Sequence, residues 1–421
     1  MHITVMGAGV VGVTTAWFLR QAGHEVRVIE RQSQAALETS FANGGQISVS
    51  HAQPWANPTA PWKVLKWLLQ ADAPLLFRPR LDPAQWRWAL GFLRECGPAR
   101  AAHNIRQIVN LGTYSRQALQ TLRQELELEY DQETKGILHF YTNPREFEAA
   151  RTPARLMREL GCDRQVISAD RAVELEPALA PARSRIAGAT YTAEDESGDA
   201  RKFTQQLAAH AAAAGVEFLY NTEILGLEYS REQILGVHTL AEGRHRTLRA
   251  DAYVLSLGCE SAVLARQLGL RLNIYPAKGY SITVPVNREA AAYHVSLTDD
   301  EYKLVYSRLG SRLRVAGTAE INGRNRVLNR RRCRAIVRRA AAVMPEAGRW
   351  EQAEFWTGLR PSTPSNVPYI GRSHFRNLYL NTGHGTLGWT HSCGSATALA
   401  DIIDGRQPAV DFAFTGIQAF S

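Results

Sequence analysis

The sequence predicts an α/β fold made of two interleaved parts, and three observations predict it. A strand–glycine turn–helix–strand unit opens the chain. The same α/β pattern returns in its middle and at its end. Between these stretches lie strand-rich runs of a different character.

Residues 2–6 (HITVM) read as a short buried strand rich in β-branched side chains, and 7–12 (GAGVVG) as a glycine turn. Residues 13–22 read as a helix ended by Gly23, and 25–30 (EVRVIE) as a second strand. That is a βαβ unit of about 30 residues. Gly7, Gly9 and Gly12 have the GxGxxG spacing. The first glycine permits a tight turn, the second lets backbone approach a pyrophosphate, and the third lets helix and strand pack closely. The phosphates then face free N–H groups at the positive end of the helix. Glu30 follows Gly12 by eighteen residues and ends the second strand. A carboxylate there accepts both ribose hydroxyls of an adenosine. The unit predicts a Rossmann-type dinucleotide domain and leaves FAD and NAD open.

Residues 39–50 (TSFANGGQISVS) are small and polar, a loop suited to lie against a ligand. Residues 55–92 then carry Trp55, Trp62, Trp67, Trp86 and Trp88 beside prolines and basic side chains. Residues 99–128 have an amphipathic helical period, and 135–142 (KGILHFYT) suggest a strand of a second sheet. Residues 202–214 read as a helix ended by Gly215. The strand VEFLYN, a hairpin of ILGLEYS and ILGVHTL, and a strand at 252–257 leading into Gly258 follow. Residues 279–286, 303–307 and 312–316 suggest antiparallel strands, and 330–342 a strongly basic helix. At the end come a strand at 378–381, a glycine-rich turn at 384–389, and a helix at 395–403 ended by Gly405. These readings assign 1–50, 190–270 and 355–421 to the nucleotide domain. They assign 51–189 and 271–354 to an α+β substrate domain built on a mixed antiparallel sheet.

The 421 residues are enough for two domains, and their 45% hydrophobic and 21% charged content is that of a globular chain. The net charge of +9 favours anionic partners without choosing among them. Five scattered cysteines, with no CxxC pair, argue against a disulfide framework or structural zinc and fit a reducing compartment. No His/Cys/carboxylate grouping has metal-ligand spacing, so no metal is expected. No nucleic-acid module is evident. The apolar N-terminus is broken by glycines and lacks a basic region before it, so it reads as folded protein rather than a leader. No run reaches the ~18 apolar residues of a spanning helix. The expected location is cytoplasmic, with peripheral contact on the inner face of the membrane as one alternative.

Five runs carry a family resemblance: ETSFANGGQIS (38–48), GDARKFT (198–204), YPAKGYSITVP (275–285), WTGLRPSTPSNVPYIG (356–371) and NTGHGTLGWTHSCGSATALADII (381–403). In the same order from end to end, they resemble the bacterial D-amino acid dehydrogenase family, within the FAD-dependent D-amino acid and glycine oxidase group. The resemblance implies a Rossmann-type FAD-binding domain and oxidation of a D-amino acid. It implies that Arg360, the GLRP arginine, holds the substrate carboxylate, a role that suits a guanidinium's bidentate fork. It implies that Gly383, His384, Gly385, Thr386, Leu387, Gly388, Trp389 and Thr390 lie along the isoalloxazine. Ser40, Asn43, Gly44 and Gln46 match the loop that contacts the flavin and its phosphates. With Gly7, Ala8, Gly9, Val10, Val11, Gly12, Glu30, Arg31, Ile224 and Gly258 they complete the expected cofactor set.

The family often has a tyrosine-bearing stretch ahead of the Pro-Trp pair. Here His51 stands in that segment, before Pro54 and Trp55. His51 is therefore a specificity candidate, pointing to an unusual D-amino acid or a cyclic imino acid such as a D-hydroxyproline; a general-base role is the other reading. Glycine, sarcosine or proline derivatives would need Arg360 equally. His384 is a flavin neighbour, a proton relay or a core histidine, and its flanking glycines favour the first. Tyr280, Tyr302 and Tyr306 are either pocket hydroxyls or ordinary strand residues. In the implied reaction the Cα hydrogen leaves as hydride to the flavin, and the imino acid hydrolyses to a 2-oxo acid and ammonia.

Dehydrogenases of this family pass electrons to a quinone. Two segments suit an anionic membrane surface: 62–92, where aromatics and basic residues mix, and 324–339, with eight arginines. A lid over the site and a solvated helix face are the other readings.

Overall fold

The computed structural model describes residues 1–62 and 75–416. The N-terminal βαβ unit builds the centre of a six-stranded sheet. Its order is Tyr369–Arg372, Leu378–Thr382, Ala252–Leu255, His2–Met6, Glu25–Ile29 and Glu217–Leu219. Every neighbour is parallel except Tyr369–Arg372. A parallel sheet is covered on both faces, which is why all residues of His2–Met6 after the first are buried.

The first helix, Val10–Gln21, starts three residues earlier than the sequence predicts. Its β-branched start is tolerated because the helix is buried against Ala200–Ala213 and Gly388–Ile403. Gly388–Ile403 is the larger surprise, starting at Gly388, inside the expected glycine-rich turn and seven residues before the expected helix start at 395. Its glycines and serines allow close helix contact instead: a Cβ on Gly394 would stand 2.7 Å from the Ser115 side chain on the helix Pro98–Leu126.

The expected hairpin, Glu223–Tyr229 and Ile234–Ala241, gains an unforeseen third strand, Arg244–Leu248. Glu242 and Gly243, both at positive φ, make the turn between them. Arg244–Leu248 is almost wholly exposed, so it shows no hydrophobic alternation.

The second main sheet has nine strands. Its path runs Glu354–Ser362, Tyr275–Pro285, Arg312–Ile321, Leu304–Leu309, Ser296–Asp299, Ile137–Tyr141, Gly188–Thr192 and Gln165–Ile167, with Leu75–Phe77 beside Arg312–Ile321. Most pairs are antiparallel, while Ser296–Asp299 with Ile137–Tyr141 and Arg312–Ile321 with Leu75–Phe77 are parallel. Glu354–Ser362, the strand bearing GLRP, thus belongs to this sheet, although the span 355–421 also supplies two strands of the six-stranded one. One face of the nine-stranded sheet packs Ile282, Val284, Leu313 and Val315 against Cys333, Ile336 and Ala340 of the helix Arg330–Val343. The other face looks toward the 39–50 loop, where Ser281 Oγ donates to the Ala42 carbonyl at 2.8 Å and Ser307 Oγ to that of Gly44 at 2.7 Å.

Candidate active site

A cavity of about 990 Å³ runs between the two sheets, at the upper end for a small-molecule site. Its nucleotide end is formed by the glycine turn. Gly7 has φ +104°, and a Cβ on Gly12 would lie 1.8 Å from the Gly7 carbonyl oxygen, so only glycine lets the helix start this close. Gly7, Gly9, Val10 and Val11 border the cavity. Ala8 and Gly12 are not on its wall; they shape the turn from behind.

The Glu30 carboxylate accepts from the Ala8 amide at 2.8 Å and the Gln32 amide at 2.9 Å. Each oxygen keeps a further lone pair on the cavity side for a ribose hydroxyl. Ser40 Oγ accepts from the Val10 amide at 3.1 Å, so the 39–50 loop is tied to the helix start. Arg31 pairs with Glu38, and Ile224 and Gly258 stand along the same wall. A glycine turn against a helix N-terminus, an acidic residue at the second strand's end and an elongated cavity between sheets fit FAD.

The middle of the cavity is walled by residues 383–390, by Asn43, Gly44 and Gln46, and by one face of the nine-stranded sheet. The start of Gly388–Ile403 has no side-chain cap and borders the cavity, so its positive end faces any ligand there. His384 is buried, its Nε2 is 3.3 Å from Ser395 Oγ, and burial pushes its pKa down to about 3. It is a neutral wall residue.

Arg360 projects from Glu354–Ser362 across the neighbouring strand at Gly279, and its NH1 donates to the Thr318 carbonyl at 2.9 Å. Burial alone lowers its pKa, to about 10, so it stays charged. Among the described residues no carboxylate pairs with it. A half-buried cation without a counter-ion on a cavity wall is a seat for an anionic ligand. Gly279, which makes room for it, was visible in the KGYS run but had no reason from sequence to be singled out.

Tyr280 corrects an expectation. It borders the cavity, but its ring belongs to the core behind the sheet and its hydroxyl donates to Glu320 at 2.6 Å. Strand alternation explains this, because Gly279 and Ser281 face the cavity and Tyr280 faces away. Tyr306 lies in the same core, and Tyr302 is exposed with the Arg339 guanidinium 3.9 Å over its ring. The Tyr280 hydroxyl is taken by Glu320, and neither Tyr302 nor Tyr306 borders the cavity. His51 does border the cavity, its ring stacked on His139 at 5.8 Å, and burial depresses its pKa to about 3.

Sequence reasoning missed two arms of the cavity. A polar one is lined by His139, Tyr141, Arg164, Asp300 and Lys303, and an apolar one by Trp55, Ala60, Leu75 and Phe92. Their residues come from six separate stretches of chain, so no local motif joins them. Trp67 and the rest of 63–74 lie outside the described residues.

A family model described as FAD dependent oxidoreductase (DAO) matches residues 2–402. The chain is 55% identical to a D-amino acid dehydrogenase of Dechloromonas aromatica, over 98% of this chain and 99% of that one. It is 52% identical to a D-amino acid dehydrogenase of Paramagnetospirillum magneticum, over 100% of this chain and 99% of that one. Among solved structures, glycine oxidase from Geobacillus kaustophilus matches with a TM-score of 0.75 at 22% identity, covering 99% of both chains. L-proline dehydrogenase from P. horikoshii matches with a TM-score of 0.75 at 17% identity, over 97% of this chain and 94% of that one. These two structures speak to the fold alone.

Proposed function

Because the chain belongs to the DAO family of FAD-dependent oxidoreductases, we propose that it oxidises a D-amino acid to a 2-oxo acid and ammonia and passes the electrons to a quinone-type acceptor. The observation that carries the substrate reading is Arg360, a half-buried guanidinium on the cavity wall whose one hydrogen bond among the described residues goes to the Thr318 carbonyl. It supplies the charge a substrate carboxylate needs. Its fixed fork orients that carboxylate in a way a lysine would not. FAD, when bound, would supply the two-electron acceptor for the Cα hydrogen. The chain's own part is positioning: Arg360 holds the carboxylate, the wall at 383–390 holds the other side, and the 39–50 loop closes the space from water. His51 and His384 are neutral, so neither sets a positive charge against the substrate amine.

Two observations support a lipid-borne acceptor. The apolar arm runs past Phe92, on the inner face of the helix Pro83–Glu95. The outer face of that helix presents Trp86, Leu90 and Leu93, exposed by 48, 58 and 54%, with exposed Trp62 and Leu81 nearby in sequence. Among the described residues no helix is long and apolar enough to cross a membrane; contact of this kind is peripheral. The basic stretch at 324–339 is the weaker candidate. Arg324, Arg326 and Arg339 pair with Glu260, Glu38 and Asp299, and Arg330 and Arg332 sit over Phe355 and Tyr280.

The test is anaerobic flavin bleaching of the purified protein by a panel of D- and L-amino acids, glycine, sarcosine and cyclic imino acids. The reading expects rapid bleaching by D-amino acids and none by their L-enantiomers. Rapid bleaching by cyclic imino acids or glycine with slow bleaching by every D-amino acid would move the assignment to that class.

A further inference from the structure

We propose that the polar arm around His51, His139 and Asp300 is the pocket for the substrate's side chain, and that it selects side chains carrying a hydrogen-bond donor. The proposal rests on the reading of Arg360 as the carboxylate clamp.

The arm and the clamp share one face of the nine-stranded sheet. His139 is opposite Thr298, Thr298 opposite Val305, and Val305 opposite Ala316. All four border the cavity, and the Arg360 guanidinium ends at Thr318, two residues beyond Ala316. Three strand spacings, about 14 Å, separate the strand of Thr318 from that of His139. A carboxylate on Arg360 followed by Cα and an extended side chain of about five atoms runs along this floor to the imidazoles, and shorter side chains stop before them.

The hydrogen bonds fix what the arm offers. Asp300 is held as a carboxylate by Lys303, whose Nζ is 2.8 Å from Oδ1, and its Oδ2 is 2.8 Å from His139 Nδ1. A carboxylate only accepts, so the proton of the neutral ring sits on Nδ1 and Nε2 is left with a lone pair. His139 is 2% exposed, and its Nε2 has no partner among the described residues. Burial and the Arg164 charge push its pKa down to about 4, which keeps it an acceptor at neutral pH. The stacked His51 ring is neutral as well.

The two cations nearest His139, Arg164 and Lys303, are already used. Arg164 donates to Thr190 at 3.0 Å, the Ser50 carbonyl at 2.6 Å and the Tyr141 hydroxyl at 3.0 Å. Lys303 is on Asp300, while Arg145 and Glu146 stand on the same wall. The feature left for a ligand is therefore an unpaired, buried acceptor. A hydroxyl, amide or amine satisfies it; a methyl group of the same size leaves it stranded.

The experiment is anaerobic flavin reduction of the holoenzyme by side-chain pairs of equal shape and long enough to span the floor: D-6-hydroxynorleucine against D-2-aminoheptanoate, and D-lysine against D-2-aminoheptanoate. The proposal expects the polar member of each pair to be favoured by about tenfold or more in kcat/KM. In His139→Phe the ratio falls to near one. Asp300→Asn, which releases the tautomer without removing the ring, lowers it partway and serves if the phenylalanine variant does not fold. A wild-type ratio of one or below, or a ratio that survives in the variants, overturns the assignment of the arm. Wild-type flavin that D-alanine also fails to reduce overturns the substrate reading itself, and the assignment of the arm with it.

Discussion

The Arg360 guanidinium lies so close over Gly279 that a methyl group on that residue would stand 2.3 Å from its central carbon. The arginine reaches the cavity only because the adjoining strand has no side chain at that point. Gly279→Ala should push the guanidinium off the Thr318 carbonyl and away from the substrate. The expected loss in kcat/KM is on the order of 100-fold, as for a buried ion pair deprived of its geometry. Arg360→Leu should raise KM at least as much. Both variants should keep their flavin, so the flavin-to-protein ratio measured beside the kinetics separates a lost clamp from a lost fold.

At the other end of the cavity, Glu30 serves both the turn and the ligand. Glu30→Ala frees the Ala8 and Gln32 amides and removes the ribose acceptor together. FAD affinity should fall by roughly 10- to 100-fold, the worth of two hydrogen bonds to a charged group. Titrating apoprotein with FAD by fluorescence quenching measures this directly. An unchanged dissociation constant would show that Glu30 only supports the turn.

Much of this end was legible in the sequence because its chemistry is local. Gly7, Gly9, Gly12 and Glu30 lie within one βαβ unit, and each residue type has a steric or hydrogen-bonding reason at its position. Arg360 was legible only through resemblance; its own segment says nothing about Gly279, which sits about eighty residues away in sequence. Tyr280 was misread because a strand's face cannot be fixed when glycine and serine occupy the cavity side and an aromatic ring the core side. The start of Gly388–Ile403 was misread because its small residues serve close helix contact, a reason that appears only once Ser115 is beside Gly394. The side-chain arm was invisible, since His139, Arg164 and Asp300 meet only through sheet pairing.

His139, His384 and His391 make stability pH-dependent. All three are buried, and burial pushes their pKa values down to about 4, 3 and 4 from an ordinary value near 6.5. The folded state thus refuses protons that the unfolded chain takes up. Stability is fully present above pH 6.5 and drains as the pH falls toward the folded values. One such group costs about 1.4 kcal/mol per pH unit in that window, and three cost on the order of 4 kcal/mol before any coupling within the pairs His51–His139 and His384–His391. The holoenzyme Tm should drop steeply between pH 6.5 and 5, and His391→Gln should flatten the drop. A Tm that stays level over this range contradicts the assignment of these rings as neutral.

The helix Pro83–Glu95 has two apolar faces, and only one is covered. Trp88 and Phe92 are buried within the fold, whereas Trp86, Leu90 and Leu93, spaced four and three residues apart, fall on one exposed stripe. Arg87 and Arg94 flank that stripe and are exposed as well. Apolar side chains flanked by arginines are what a helix lying in an anionic headgroup layer presents. The protein should therefore sediment with phosphatidylglycerol-containing vesicles at low salt, and less at high salt as the arginine contribution is screened. Trp86→Ser with Leu90→Ser should weaken sedimentation by about tenfold or more, given the apolar area removed from lipid contact. The same double variant should leave flavin bleaching by a D-amino acid unchanged, since neither side chain borders the cavity. If wild-type and variant protein sediment alike, this face is not the lipid contact.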